Sequence, residues 1–140
     1  MRSRRSGAIV NVSSLGAITP ISGTGHYPSS KAALAIATEA LRSELRGSRV
    51  HVVLVYPGFV DTPMLQAFNA RIDLPSRTRQ SLRRMPVGSA EGLAERVVNA
   101  VQRGRKTVVY PRSYAVTPLI PGVSRWFTNL LFKPPLTAGA

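Results

Sequence analysis

The sequence predicts an α/β fold built on a parallel sheet, and two observations carry this prediction. The first is a nearly continuous apolar run over residues 50–56, which reads VHVVLVY and is bounded by Pro57 and Gly58. A strand of this composition is typical of a parallel sheet that helices cover on both faces. The second is the order strand, helix, strand, helix, strand along the chain, which is typical of α/β units joined by right-handed crossovers.

The first strand and the first helix follow from a change of periodicity. Residues 7–14 read GAIVNVSS, a short β-branched run that ends in two hydroxyl residues and predicts a strand. From residue 27 to residue 45 an apolar stripe at helical spacing, with alanines between its members, predicts a helix; the stripe consists of Leu34, Thr38, Leu41 and Leu45. Gly47 supplies the helix stop.

A second helix and a third strand complete the pattern. Ser89 is a candidate N-cap, with Glu91 in the first turn of a helix over residues 90–102. Its stripe consists of Leu93, Val97, Val98 and Val101, and Gly104 ends it. Residues 106–110, which read KTVVY before Pro111, predict the third strand.

Two segments fall outside this pattern. Residues 65–88 are polar and rich in arginine, and they predict a mobile insertion over the carboxyl edge of the sheet. Residues 112–140 form an apolar tail after a domain over residues 1–111. Within the tail, one face of a short amphipathic helix is formed by Val123, Trp126, Phe127, Leu130 and Leu131. We expect this face to pack on the domain. Two alternatives are that it packs on a second subunit, or that it lies in a membrane surface with Arg125 and Lys133 flanking it.

Composition excludes several classes of protein. The 140 residues are enough for one modest domain, and 44% hydrophobic residues support a packed core. The chain has no cysteine and two histidines, so neither a disulfide scaffold nor a metal site is expected. No apolar run reaches the roughly 18 residues of a membrane span, and the basic start MRSRRSG does not lead into a secretory signal. These features predict a soluble, cytoplasmic protein, with membrane association through the tail as an alternative.

The strongly basic balance does not predict a specific nucleic-acid partner. The formal net charge is +13, from 19 Lys and Arg against 6 Asp and Glu. Most of the basic residues are scattered, and no aromatic residue lies within the one dense group, Arg77, Arg79, Arg83 and Arg84. Nucleic-acid-binding surfaces concentrate their charge and interleave aromatic side chains for stacking. We interpret the arginines as a solvated surface.

The candidate catalytic residues are Ser14, Tyr27 and Lys31. Tyr27 and Lys31 are four residues apart, so they share one helix face, and a nearby ammonium group favours the phenolate form of a tyrosine. Ser14 ends the first strand, at the sheet edge where open α/β sheets bind ligands. Its hydroxyl could hold a carbonyl oxygen while Tyr27 exchanges a proton with the substrate.

With its surroundings, this constellation resembles the short-chain dehydrogenase/reductase family. The residues that carry the resemblance are NVSS at 11–14, YPSSK at 27–31 and PGFVDT at 57–62. The family's serine precedes its tyrosine by thirteen residues, which selects Ser14 over Ser13. The resemblance is specific over residues 7–64 and looser as far as Pro111. It implies a partial Rossmann-like, doubly wound parallel sheet that comprises the last three strands with their helices.

The resemblance also implies an activity and its residues. The activity is NAD- or NADP-dependent interconversion of a secondary alcohol and a ketone, with Tyr27 as general acid/base. Lys31 would assist Tyr27 and bind the ribose hydroxyls, and Ser14 would polarise the substrate carbonyl. Pro57, Gly58, Val60 and Thr62 would line the nicotinamide. His26 is interpreted as a histidine exposed at the helix entry. The substrate is expected to be a small alcohol or ketone, lipophilic in character, and a homo-oligomer is expected for the full-length form.

Part of the family's pattern is not found in the sequence. The glycine-rich turn that binds the dinucleotide phosphates is absent, since Gly23 and Gly25 follow no strand. The chain is therefore expected to be the carboxyl-terminal half of such an enzyme, inactive by itself. Two further interpretations stay open: a catalytically inactive truncated fragment, and a basic module that binds a membrane surface through its tail.

Overall fold

The structure, a computed structural model, describes residues 1–21, 24–71, 80 and 82–131. Two 3-10 turns occur, at Leu15–Ala17 and Arg112–Tyr114. The strands and helices in chain order are β1 (Gly7–Val12), α1 (His26–Glu44), β2 (Val50–Pro57), β3 (Phe59–Val60), α2 (Pro63–Arg71), β4 (Val87–Gly88), α3 (Ala90–Gln102), β5 (Thr107–Tyr110) and α4 (Pro121–Leu131).

The main sheet is parallel, as the sequence predicts. Its strand order is β1-β2-β5, with Val12 opposite Val55 and Pro57 opposite Tyr110. The apolar strand β2 is therefore central, and the carboxyl ends of all three strands lie at one edge.

Alternate side chains of β2 point to opposite faces of the sheet, and each face is covered by one helix. Leu54 packs with Ala35 of α1, whereas Val53 and Val55, both fully buried, pack with Ala100 of α3. Burying a valine side chain stabilises a fold by about 2 kcal/mol. The prediction of a strand buried on both faces is confirmed, and with it the doubly wound α/β arrangement.

Helix α1 buries a polar residue in its apolar stripe. Thr38 is completely buried, its hydroxyl donates to the Leu34 carbonyl at 2.6 Å, and it accepts from the Asn11 side-chain amide of β1 at 2.9 Å. Both polar side chains are thus satisfied inside the helix–sheet interface. The helix ends at Glu44, and Gly47 adopts a φ of +81° in the following turn.

Helix α3 begins and ends as predicted. The Ser89 hydroxyl accepts from the Gly92 N–H at 3.0 Å, and Glu91 lies in the first turn. After the helix, Gly104 adopts a φ of +65°. A side-chain cap of this type is worth about 1 kcal/mol to a helix.

The segment predicted to be a mobile insertion, residues 65–88, contains regular structure at both of its ends. Helix α2 occupies Pro63–Arg71, and β4 pairs in parallel with β3, opposite Phe59 and Val60, to form a second small sheet. The Thr62 hydroxyl accepts from the Leu65 N–H at 3.4 Å, which supports the first turn of α2. Residues 72–79 and 81 of this segment lie outside the described residues, and its mobility stays a prediction.

The tail forms the predicted helix, but its apolar face does not pack on the domain. Val123, Trp126 and Phe127 are more than half exposed. The helix is held by polar contacts instead: Arg125 Nε donates to the Ile18 carbonyl at 2.9 Å, and the Ser124 hydroxyl donates to the Thr117 carbonyl at 3.3 Å. The division at residue 111 stays a prediction. Among the described helices, none is both long and apolar enough to cross a membrane.

Candidate active site

Two loops that contain predicted site residues meet at the carboxyl edge of the main sheet. Ser13 and Ser14 follow β1, while Gly58 follows β2. A side chain on Gly58 would lie 3.2 Å from Cδ1 of Leu15, the residue after Ser14. The two strand ends are therefore in contact, at the edge where parallel α/β sheets bind ligands.

The two adjacent serines have different environments. Ser13 is buried, its N–H donates to the Val55 carbonyl at 2.8 Å, and its hydroxyl donates to the Lys31 carbonyl at 2.7 Å. Ser13 therefore joins β1 to β2 and to α1. Ser14 is half-buried and its hydroxyl oxygen accepts from the Gly16 N–H at 3.0 Å, capping the 3-10 turn. That bond leaves the Ser14 hydroxyl hydrogen free to donate to another group.

Ser14 and Tyr27 border the same small space. A Cβ atom on Gly16 would lie 3.3 Å from Ser14 Oγ and 3.6 Å from Cε1 of Tyr27. Because glycine has no side chain, Ser14 Oγ and the edge of the Tyr27 ring border the same space beside Gly16. Tyr27 is the second residue of α1 and is half-buried there.

Lys31 lies one helical turn after Tyr27 and faces the end of β1. Its Nζ atom donates to the Val12 carbonyl at 3.1 Å and lies 5.9 Å from the centre of the Tyr27 ring. The carbonyl therefore fixes the ammonium group beside the phenol. One of the three ammonium N–H donors makes this bond, and two remain for other acceptors.

The predicted nicotinamide-lining residues occupy the loop after β2. The Gly58 N–H donates to the Tyr110 carbonyl at 2.7 Å, and Val60 is buried in β3. The Thr62 hydroxyl donates to the Val60 carbonyl at 3.2 Å as well as accepting from α2. The Val60 carbonyl and Thr62 hydroxyl thus already bond to each other, and Pro57 lies at the end of β2.

Two further residues near this edge have no predicted role. His26 is the first residue of α1 and is exposed, as expected for a helix-entry histidine. Tyr114 was missed by sequence reasoning. Two of its ring carbons lie 2.8 Å from the Cβ position of Gly58, and its hydroxyl donates to the Pro86 carbonyl at 3.0 Å. Burial raises the pKa of Tyr114 above its ordinary value. No local pattern marks this tyrosine, because its contacts are distant in the sequence.

The architecture defines a class of protein: a doubly wound parallel α/β domain with a serine, a tyrosine and a lysine at the carboxyl edge of its sheet. Residues 1–73 match the family model described as short chain dehydrogenase, and the chain belongs to that family.

Individual relatives agree with this assignment. The chain is 30% identical over 135 residues to 11-beta-hydroxysteroid dehydrogenase A of Arachis hypogaea, covering 90% of this chain and 38% of the relative. It is 38% identical over 89 residues to a 3-oxoacyl-(acyl-carrier-protein) reductase of Thermotoga maritima, covering 63% of this chain and 34% of the relative. The chain therefore spans little more than a third of these relatives.

The fold also matches solved structures. A short chain dehydrogenase from Burkholderia cenocepacia, crystallised in complex with NADP, superposes with a TM-score of 0.69 at 25% sequence identity. The match covers 95% of this chain and 50% of that one. The Rossmann-like parallel α/β fold predicted from the resemblance is confirmed, and this chain corresponds to about half of the solved domain.

Proposed function

We propose that this chain carries the catalytic residues of an NAD(P)-dependent oxidoreductase that interconverts a secondary alcohol and a ketone. The observation that carries the proposal is the space that Ser14 and Tyr27 both border, beside which the Val12 carbonyl holds the Lys31 ammonium. A hydrogen-bond donor, a proton-exchanging phenol and a fixed positive charge are the groups that carbonyl reduction requires.

In this mechanism each residue acts at a stated atom. The Ser14 hydroxyl donates its free hydrogen to the substrate oxygen, and the Tyr27 hydroxyl delivers a proton to that oxygen during reduction or removes it during oxidation. The Lys31 ammonium stabilises the resulting phenolate by its charge. The nicotinamide dinucleotide, when bound, supplies or accepts the hydride at the substrate carbon.

The residues present fit the nicotinamide end of such a cofactor. Lys31 uses one N–H on the Val12 carbonyl and has two left for ribose hydroxyls. The loop formed by Pro57, Gly58, Val60 and Thr62 would border the nicotinamide ring. The glycine-rich turn for the phosphates is not found in this sequence. We therefore propose that the 140-residue chain needs a further segment that binds the dinucleotide, NAD or NADP, before it can turn over substrate.

The substrate we propose is a lipophilic alcohol or ketone. The name of the Arachis relative, a hydroxysteroid dehydrogenase, supports this class. We further propose that the protein acts in the cytoplasm and that the full-length form is a homo-oligomer.

The test is a chimera in which residues 7–111 replace the matching region of the Thermotoga maritima reductase. We expect reduction of the reductase's 3-oxoacyl substrate with NADH or NADPH, and a loss of about 100-fold or more in kcat for Tyr27→Phe. Tyr110→Phe is the matched control for loss of a hydroxyl, and His26→Gln tests the neighbouring histidine; both should retain activity.

Four outcomes would count against the proposal. Full activity of Tyr27→Phe would remove the general acid/base role, and loss of activity in His26→Gln would move it to His26. An inactive chimera that folds and binds NADH or NADPH would favour the catalytically inactive fragment. Turnover of NAD(P)H by the unmodified chain would contradict the need for a dinucleotide-binding segment.

A further inference from the structure

Helix α4 displays an exposed apolar face that nothing in the described part of the chain covers. The α4 patch consists of six large apolar residues that are 44% to 77% exposed: Leu119, Ile120, Val123, Trp126, Phe127 and Leu130. From Val123 onward they follow the spacing i, i+3, i+4 and i+7, which aligns them along one side of the helix.

The opposite side of α4 is polar, and Arg125 on that side bonds to the domain. Ser124 and Thr128 are half-buried there, and Arg125 Nε bonds to the Ile18 carbonyl at 2.9 Å. The helix is thereby fixed with its apolar side outward, the reverse of the arrangement expected for a helix whose apolar side joins a core. Contiguous exposed apolar surface of this kind marks an interaction site.

Positive charge lies beside the Leu119 end of the patch. Every charged residue after Glu95 is a Lys or an Arg. In space, Leu119 and Pro121 line an open groove with Glu39, Glu95 and five arginines, namely Arg96, Arg103, Arg105, Arg112 and Arg125. The arginines outnumber the glutamates, so the surface beside the patch is positive.

The exposed apolar face and the adjacent positive charge together favour one kind of binding partner. We propose that the α4 patch inserts its apolar side chains into the surface of an anionic lipid bilayer, with the neighbouring arginines on the lipid headgroups. An amphipathic helix with aromatic residues on one side and basic residues beside it lies in the plane of a membrane interface. A second copy is less complementary, because each copy carries a formal charge of +13 and the two basic surfaces would repel each other.

The proposal does not depend on the proposed oxidoreductase function, and its test needs no cofactor. The unmodified chain is mixed with vesicles of phosphatidylcholine and phosphatidylserine, or of phosphatidylcholine alone, and separated by flotation. Trp126 is the chain's only tryptophan, so its fluorescence reports on the patch directly. We expect flotation with the anionic vesicles, a blue shift of Trp126 emission, and quenching by lipids brominated on the acyl chain.

Variants distinguish membrane binding through the patch from nonspecific adsorption to the vesicles. Phe127→Glu should weaken vesicle binding by about tenfold or more, because it replaces an inserted apolar group with a carboxylate. Met64→Glu on α2 is the matched control, since Met64 is 68% exposed and lies in neither the patch nor the arginine-lined groove. It introduces the same charge and should retain binding, as should Tyr27→Phe. Circular dichroism checks that each variant is folded.

Other results would overturn the proposal. Flotation without quenching by brominated lipid would mean that charge alone holds the chain at the headgroups. A blue-shifted Trp126 emission without vesicles, which returns to longer wavelength on dilution, would assign the patch to a second copy. Equal binding by Phe127→Glu and Met64→Glu would place the membrane contact elsewhere.

Discussion

The ring of Tyr114 occupies the space that a side chain on Gly58 would need. Two ring carbons, Cδ2 and Cε2, lie 2.8 Å from the Cβ position of Gly58, closer than real Cβ contacts. Packing therefore requires a glycine at position 58, because the tail folds back over the end of β2. Its φ is not in the left-handed region, so backbone conformation is not the reason.

The first prediction tests this contact. Gly58→Ala should lower the free energy of unfolding by about 1–3 kcal/mol, since the aromatic ring or the strand end must shift. In a Tyr114→Ala background the same substitution should cost less, and urea denaturation of the four proteins measures the coupling. Gly122→Ala is the control, because a Cβ there meets nothing within 4 Å. Additive effects of Gly58→Ala and Tyr114→Ala would show that the two residues do not interact.

The second prediction separates the two serines after β1. Ser13→Ala removes a buried hydroxyl that bonds to the Lys31 carbonyl, and should cost about 1–3 kcal/mol of stability. Ser14→Ala should cost about 1 kcal/mol, the worth of a cap, yet lower kcat in the chimera by more than Ser13→Ala does. Urea denaturation and steady-state kinetics provide the two measurements. The assignment of Ser14 as the catalytic serine fails if Ser13→Ala has the larger effect on kcat at a temperature where both variants are folded.

The third prediction concerns Tyr110, whose side chain contacts two glycines. The nearest atom to a Cβ on Gly92 is the Tyr110 hydroxyl, followed by Ser89 Oγ at 3.1 Å and Tyr110 Cζ at 3.2 Å, whereas a Cβ on Gly88 contacts the ring carbon Cε1. Gly92→Ala should therefore destabilise the unmodified chain, and it should cost less in a Tyr110→Phe background, because the nearest atom is then removed and alanine is favoured over glycine in a helix by up to about 1 kcal/mol.

Gly88→Ala is the matched comparison for this prediction. It should remain destabilising in the Tyr110→Phe background, because the ring carbon that it contacts is still present. Thermal denaturation of the paired variants gives the comparison. If Tyr110→Phe reduces the destabilisation equally for Gly88→Ala and Gly92→Ala, contact with the phenol hydroxyl is not the reason that Gly92→Ala destabilises the chain.

The fourth prediction concerns the Asn11–Thr38 hydrogen bond between β1 and α1. Thr38→Val preserves shape but leaves the Asn11 amide without its acceptor, at a cost of about 1–3 kcal/mol. Thr38→Ser retains the hydroxyl and should lose less. Adding Asn11→Leu to Thr38→Val should recover stability, since both polar partners are then removed. No recovery would indicate that the bond contributes little.

The fifth prediction concerns alkaline stability. Burial raises the pKa of Tyr56 above 10.0, the Glu39 carboxylate adds to the increase, and Arg42 opposes it. The folded state thus favours the neutral phenol, so this stabilisation is complete below pH about 10 and is lost as the pH rises through the raised value. The free energy of unfolding should fall above pH about 10, and less steeply in Tyr56→Phe. Identical slopes in urea denaturation would contradict the assignment.

Much of the fold could be predicted from the sequence because it is encoded locally. The apolar run of β2, the stripe of α1 and the Ser89 cap each depend on neighbouring residues, and each is found in the structure. The spacing of Tyr27 and Lys31 likewise fixes their common helix face. The motifs placed Ser14, Tyr27 and Lys31 in one family pattern, and the structure brings these three residues to the same sheet edge.

What the sequence could not determine is how segments distant in the chain meet. The pairing of β3 with β4 joins residues on either side of the Arg-rich segment, and Tyr114 meets Gly58 across two elements. The amphipathic pattern of α4 established that one side is apolar but not which way that side turns. The bond from Arg125 to the Ile18 carbonyl joins the polar side of the helix to the domain, whereas a period of 3.6 residues is the same whether the apolar side meets a core or another surface.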